Sequence, residues 1–178
     1  MKTILLLRHA KSDWGDPGLP DFDRPLAKRG LKEAPYMGEV LALFDCVPDK
    51  ILASPALRAR QTTEIVAQAC GYQESIQWED SFYGGHSQDL MAALQRLPNS
   101  VERVMLVGHN PTMEETAATL LSMTVYDESN EAWSIRIPTA GLVCLEVDIT
   151  DWATLEPGDA ALCWFLIPKL VKAIQSRN

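Results

Sequence analysis

Three short aliphatic runs, each delivering a cationic or imidazole side chain and each followed by a helix-start signal, constrain this chain more than any other feature in it. The first, Thr3-Ile4-Leu5-Leu6-Leu7, ends at Arg8 and His9. It is too short for a helix and reads as a strand buried on both faces of a parallel sheet. The second, Lys50-Ile51-Leu52-Ala53, leads into Ser54-Pro55-Ala56-Leu57-Arg58. There Ser54 is expected as an N-cap, Pro55 as the first helical residue, and Arg58 in the first turn. The third, Arg103-Val104-Met105-Leu106-Val107, leads into Gly108-His109-Asn110-Pro111, with Asn110 expected as cap and Pro111 as first helical residue. Ligands of open α/β sheets bind beyond the carboxyl ends of the strands. Arg8, His9, Arg58 and His109 are therefore expected to meet there, beside helix N-termini whose free N–H groups favour an anion.

The rest of the chain extends the alternation. Apolar residues at helical spacing predict helices over residues 27–44 (despite Pro35), from Pro55 to near Gly71, from Ser87 as cap to before Pro98, over 111–122, and over 169–176. Further strands are expected over 75–78, 135–137, 141–147 and 161–167, the last as a buried strand. Residues 127–131 form an irregular acidic stretch, and residues 11–24, rich in Gly, Pro and Asp with Trp14 and Phe22, form a loop suited to a lid or rim over the first strand. Strand–helix alternation over most of the chain implies right-handed crossovers and a mainly parallel sheet, with the last strands added antiparallel at an edge. The fold class is thus α/β, a three-layer sandwich with helices on both faces, and residues 1–178 are expected to form a single domain.

Composition narrows the function. A net charge of −8 and a pI near 4.8 argue against a nucleic-acid surface, because phosphate backbones reward clustered Lys and Arg. The run 160–167 stops at Pro168-Lys169, well short of the ~20 residues a spanning helix needs, so no membrane partner is expected. Cys46, Cys70, Cys144 and Cys163 have neither CxxC pairing nor metal-ligand spacing and read as reduced, mostly buried thiols of a cytoplasmic, monomeric protein. The three histidines lack HxH or HxxxH spacing, His86 lies in a glycine-rich loop and is expected to be exposed, and neither GxxxxGK[ST] nor GxGxxG occurs. No metal and no cofactor is expected.

Two arginines and two histidines suit phosphoryl transfer, in which catalysis is largely positioning and charge stabilisation. Arg8 and Arg58 are the natural clamps, since a guanidinium matches phosphate bidentately and stays charged. Neutral imidazole attacks phosphorus, and the phosphohistidine formed is labile to water. His9 is assigned that attack because a strand end is stiffer than a loop. His109 is then expected to donate hydrogen bonds as an imidazolium, its pKa raised by the dianion before it. Exchanging the two histidines gives the competing assignment.

These residues resemble the histidine phosphatase superfamily, the phosphoglycerate mutase-like family, whose hallmark is Arg-His-Gly after the first strand. Here it reads Leu7-Arg8-His9-Ala10. The alanine, the following Lys11-Ser12-Asp13-Trp14, then Arg24-Pro25-Leu26, Gly30, Ser54-Pro55-Ala56-Leu57-Arg58-Ala59-Arg60-Gln61-Thr62, Gly108-His109-Asn110-Pro111 and Pro138-Thr139-Ala140-Gly141 are similar to the SixA-type phosphohistidine phosphatase branch. The resemblance implies His9 as the phosphorylated nucleophile, with Arg8, Arg58 and His109 enclosing the phosphoryl group without metal, and Ser12 among the substrate-binding residues.

Larger relatives carry a general-acid glutamate shortly after the third strand. That place falls near Gly84, with Glu79 and Asp80 as the nearby carboxylates, so the acid is expected to be missing. An alkoxide leaving group needs such a donor, its conjugate acid being about as weak as water (pKa ~15.7). Imidazole does not, because the protonated phosphoimidazole leaves as a neutral ring whose conjugate acid has pKa ~6.5. The expected substrate is therefore phosphohistidine on a protein. The alternatives are a small-molecule phosphomonoesterase acting on a sugar phosphate or similar substrate, and a phosphate-recognition module without turnover. Glu79 and Asp80 keep the first open, and a retained His9 speaks against the second.

Overall fold

The computed structural model describes residues 1–122 and 135–175. Its elements run β1 (Lys2–Arg8), α1 (Lys28–Leu43), β2 (Lys50–Ala53), α2 (Leu57–Cys70), β3 (Gln77–Trp78), α3 (Ser87–Gln95), β4 (Arg103–Gly108), α4 (Thr112–Leu120), β5 (Leu142–Val147), β6 (Ala160–Leu166) and α5 (Pro168–Gln175). The sheet order is β3-β2-β4-β1-β5-β6. The first four pair in parallel, while β5 and β6 are antiparallel additions at one edge, as the sequence pattern predicts.

Strand period two divides the aliphatic runs between two cores. Ile4 and Leu6, with Leu52, Val104, Leu106, Val143 and Leu145, face α3, α4 and Trp152. Leu5 and Leu7, with Ile51, Ala53, Met105, Val107 and Leu142, face α1, α2 and Val171 of α5. Each fully buried aliphatic side chain contributes about 1.5–3 kcal/mol, so a run of four consecutive such residues in β1 fixes that strand at the centre of the molecule. Helices α1 and α2 pack closely because Gly38 brings no Cβ; one built there would stand 2.5 Å from both the Ala69 Cβ and the Val66 carbonyl oxygen.

Several local expectations are corrected, mostly because a tertiary partner outweighs a cap. Helix α2 starts at Leu57 with Ala56 as cap, so neither Ser54 nor Pro55 begins it. Helix α4 starts at Thr112 with Pro111 as cap, while Asn110 donates its side-chain amide to the Ile137 carbonyl instead of capping. The α3 cap is His86, whose backbone N–H is taken by Asp89, and Ser87 is the first helical residue. Residues 135–137 carry no strand pairing, and β3 shrinks to two residues. Strand β6 forms but is not buried: it is the sheet edge, with Leu162 48% exposed. The acidic stretch 127–131 lies outside the described residues. The four thiols are free; Cys70 and Cys144 are buried and Cys163 is exposed. No helix among the described residues is long and apolar enough to cross a membrane.

Candidate active site

The strands β2, β4 and β1 are neighbours and parallel, so their carboxyl ends share one edge. Backbone hydrogen bonds knit these ends together. The His9 N–H donates to the Gly108 carbonyl at 3.0 Å, and the Ser54 N–H to the Val107 carbonyl at 2.9 Å. A turn through Pro138-Thr139-Ala140-Gly141 closes on β1, with Ala140 in the left-handed region (φ 56°) and its N–H donating at 3.1 Å to the carbonyls of Arg8 and His9. The four expected residues meet as a result: the His9 and His109 ring centroids are 5.0 Å apart, and Arg8 and Arg58 both press electrostatically on the two rings.

His9 is 8% exposed, and its Nδ1 lies 2.7 Å from the Ala10 carbonyl oxygen. A carbonyl only accepts, so Nδ1 carries the proton and the lone pair lies on Nε2. Burial pushes the His9 pKa down to about 4, opposed by the Ala10 hydrogen bond and reinforced by Arg58 and Arg8. The Ala10 N–H donates to Thr62 Oγ1 at 3.0 Å, and the Thr62 hydroxyl donates to the Arg58 carbonyl at 2.7 Å. Through Thr62 the end of β1 is tied to the first turn of α2.

His109 Nε2 lies 2.8 Å from Ser54 Oγ, and its buried Nδ1 has no partner among the described residues. Burial first, then His9 and Arg58, push its pKa down to about 3. The expected imidazolium belongs to the site with a dianion beside the ring, and the protein by itself holds the ring away from protonation. His109 is neutral there, and only an anion beside it would bring the proton.

The two arginines are held differently. Arg8 Nη1 donates to the Ile137 carbonyl at 2.8 Å, and its buried Nε has no partner among the described residues. Burial lowers its pKa and Glu114 raises it, and a guanidinium remains charged at any working pH. Arg58, 8% exposed, donates Nη1 to the Asp21 carbonyl at 2.5 Å and Nη2 to Asp21 Oδ2 at 2.9 Å. The Tyr83 hydroxyl donates to the same Oδ2 at 3.2 Å, and the Tyr83 ring stands edge-on to His109 at 5.7 Å.

Asp21 and Tyr83, together with Ser54 and Thr62, are site residues that the sequence reading missed. A signal existed for Asp21: a buried arginine calls for a counter-ion, and residues 11–24 are the loop richest in aspartate near the first strand. That loop is itself organised. Arg24 stacks on Trp14 at 4.4 Å, donates to the Asp16 carbonyl at 3.2 Å and lies 3.7 Å from Asp21 Oδ1. Ser12 is buried, but its hydroxyl accepts the Trp14 indole N–H at 3.0 Å, so its bond is to the loop rather than to the four expected residues. Gly30 of α1 lets the loop return, since a Cβ there would stand 2.3 Å from the Lys11 carbonyl oxygen. His86 is exposed, Glu79 accepts from Gln77, and Asp80 is exposed in a short 3-10 turn.

Comparison with known proteins decides the family. Residues 4–82 match the histidine phosphatase superfamily (branch 1). SixA from Agrobacterium tumefaciens, a proposed phosphohistidine phosphatase, superposes with a TM-score of 0.77 at 34% identity, covering 94% of this chain and 98% of that one. The chain belongs to the histidine phosphatase superfamily. Within it the relatives are of the SixA type: the SixA counterpart from Nakamurella multipartitia gives a TM-score of 0.76 at 28% identity over 94% of this chain and 96% of its own. An uncharacterized Mycobacterium tuberculosis protein is 36% identical over 92% of this chain and 100% of its own length. The fold is that of the phosphoglycerate mutase-like proteins, and membership makes the chain a histidine-nucleophile phosphatase.

Proposed function

We propose that this phosphatase hydrolyses phosphohistidine on a protein, with His9 as the nucleophile and Arg8, Arg58 and His109 around the phosphoryl group. The observation that carries the reading is the His9 tautomer: with Nδ1–H given to the Ala10 carbonyl, an unprotonated Nε2 is available in a site lined by two guanidinium groups. The Nε2 lone pair forms the new P–N bond as the bond to the substrate nitrogen breaks, and the substrate imidazole, already protonated on its other ring nitrogen, leaves as a neutral ring. Water then attacks the His9 phosphoramidate, releasing inorganic phosphate and restoring the imidazole. Arg8 and Arg58 offset the charge on the equatorial oxygens. His109, with Nδ1 free of other partners, supplies a further donor once protonated beside the dianion.

The substrate class follows from what stands where larger relatives have an acid. Gly84 brings no side chain, and its neighbour Tyr83 spends its hydroxyl on Asp21. Asp21 itself is ionised, since Arg58 and the Tyr83 hydrogen bond outweigh the upward push of burial and hold its carboxyl below the usual range. An ionised carboxylate donates no proton, which favours a leaving group that needs none. The likeness to the Agrobacterium tumefaciens SixA supports the same substrate.

The test is a trapping experiment. Brief incubation with a labelled phosphohistidine protein followed by alkaline quench should leave label on His9, and His9→Ala should abolish trapping and lower turnover by on the order of 10⁴-fold or more. Wild-type turnover in His9→Ala would overturn the assignment, and equal rates on a sugar phosphate would overturn the substrate class.

A further inference from the structure

Arg58 carries a feature that phosphoryl binding alone leaves unexplained. Among the described residues the Arg8 side chain is hydrogen-bonded to a backbone carbonyl alone, whereas both terminal nitrogens of Arg58 are taken by one acidic residue, through its carbonyl at 2.5 Å and its carboxylate at 2.9 Å. Asp21 is not a chance surface neighbour. Its Oδ2 also receives the Tyr83 hydroxyl, its Oδ1 lies 3.7 Å from Arg24, and Arg24 is stacked on Trp14, so the carboxylate is delivered to Arg58 by a loop braced at several points. Phe22, next in sequence, packs edge-on against Tyr83 at 5.0 Å and fixes the same segment from the other side.

A cation meant for a phosphate dianion binds it less tightly when a fixed carboxylate already neutralises it, because the two anions share one charge and one set of donors. Two guanidinium groups and two imidazoles without such a counterweight would hold inorganic phosphate after each turnover. We propose that Asp21 is a resident counter-ion that weakens the grip of Arg58 on the phosphoryl group and so lets product phosphate leave. Asp21 is thus a positioning and affinity-setting residue acting through Arg58, not a group that touches the reacting atoms. The inference rests on the reading of Arg58 as a phosphoryl ligand.

The experiment is calorimetric titration of the purified protein with inorganic phosphate and with tungstate, alongside product inhibition by phosphate in steady state. Asp21→Asn removes the charge and keeps the shape. It should bind both anions roughly threefold to tenfold more tightly and be inhibited by phosphate at correspondingly lower concentration. Asp21→Glu, which restores the charge, should return the affinity toward wild type. If Asp21 only braced the Arg58 fork, Asp21→Asn would bind anions more weakly, and that result, or unchanged affinity, overturns the proposal. Arg58→Ala separates the two levels of the argument. If it binds phosphate as tightly as wild type, the phosphoryl-ligand reading fails and takes this inference with it; if it binds weakly while Asp21→Asn does not tighten, the inference alone fails.

Discussion

The two halves of the site are built by different means. Arg8, His9 and His109 stand at the ends of β1 and β4, where register alone places Arg8 opposite Gly108 and brings the two rings within 5.0 Å. Arg58 stands on α2 and meets the site through contacts that cross long stretches of chain: Asp21 on its guanidinium, Tyr83 on the Asp21 carboxylate, and Thr62 linking its carbonyl to Ala10. The sheet-built half is rigid because four buried aliphatic side chains of β1 fix its position on both faces. The loop-built half depends on hydrogen bonds and ring contacts of partly exposed groups, and these can be retuned without disturbing the core. A phosphatase has reason to divide its site this way, holding the proposed attacking ring still while leaving anion affinity adjustable.

The sharpest way to break this comparison lies in the sheet-built half. On the proposed assignment His109→Ala removes a donor beside the phosphoryl group, and it should lower kcat on a phosphohistidine protein by about 10²–10³-fold while leaving the melting temperature near that of wild type. A large loss of stability instead would make His109 a packing residue. The next effect falls on the loop-built half. Gly30→Ala places a Cβ 2.3 Å from the Lys11 backbone oxygen, so the loop carrying Asp21 must shift; a loss of about 1–3 kcal/mol in denaturant unfolding and altered phosphate affinity are expected, with His9 trapping retained. Loss of trapping would show the two halves to be mechanically coupled.

The smallest effect is a titration. His9 is buried and His109 half-buried, with depressed pKa values of about 4 and about 3, so below pH ~6.5 the unfolded chain binds protons that the native protein refuses. Their contribution to stability is present above pH ~6.5 and declines as pH falls through the folded-state values. Ring resonances in a magnetic resonance titration should move near those values and shift upward when phosphate is added. Ring titration near ~6.5 in the protein alone would contradict the neutral pair.

Much of the fold was legible because its signals were local and strong. Buried aliphatic runs marked β1, β2 and β4, helical spacing marked α1 through Pro35, and Gly71 marked the end of α2. Arg8, His9, Arg58 and His109 were legible because parallel topology sends consecutive strand ends to one edge. The helix starts were misread where polar side chains found distant partners. Ser54 serves His109 and Asn110 serves the Ile137 carbonyl, and neither demand is visible within a few residues of sequence. Lys2 is a further case: it is buried, with its ammonium donating to the Asn99 and Val101 carbonyls and to Glu102.

What the sequence by itself determined was the alternation of strands and helices and the chemical character of the strand ends, because hydrophobic period and residue type are written along the chain. What only the tertiary structure decided was the state of each site group: which His9 nitrogen keeps its lone pair, how far both imidazoles are held from protonation, and which anion Arg58 already carries. The His9 tautomer is set by the carbonyl of the next residue, but burial and the charges on both rings come from groups far away in sequence, because charge and desolvation act through space rather than along the chain.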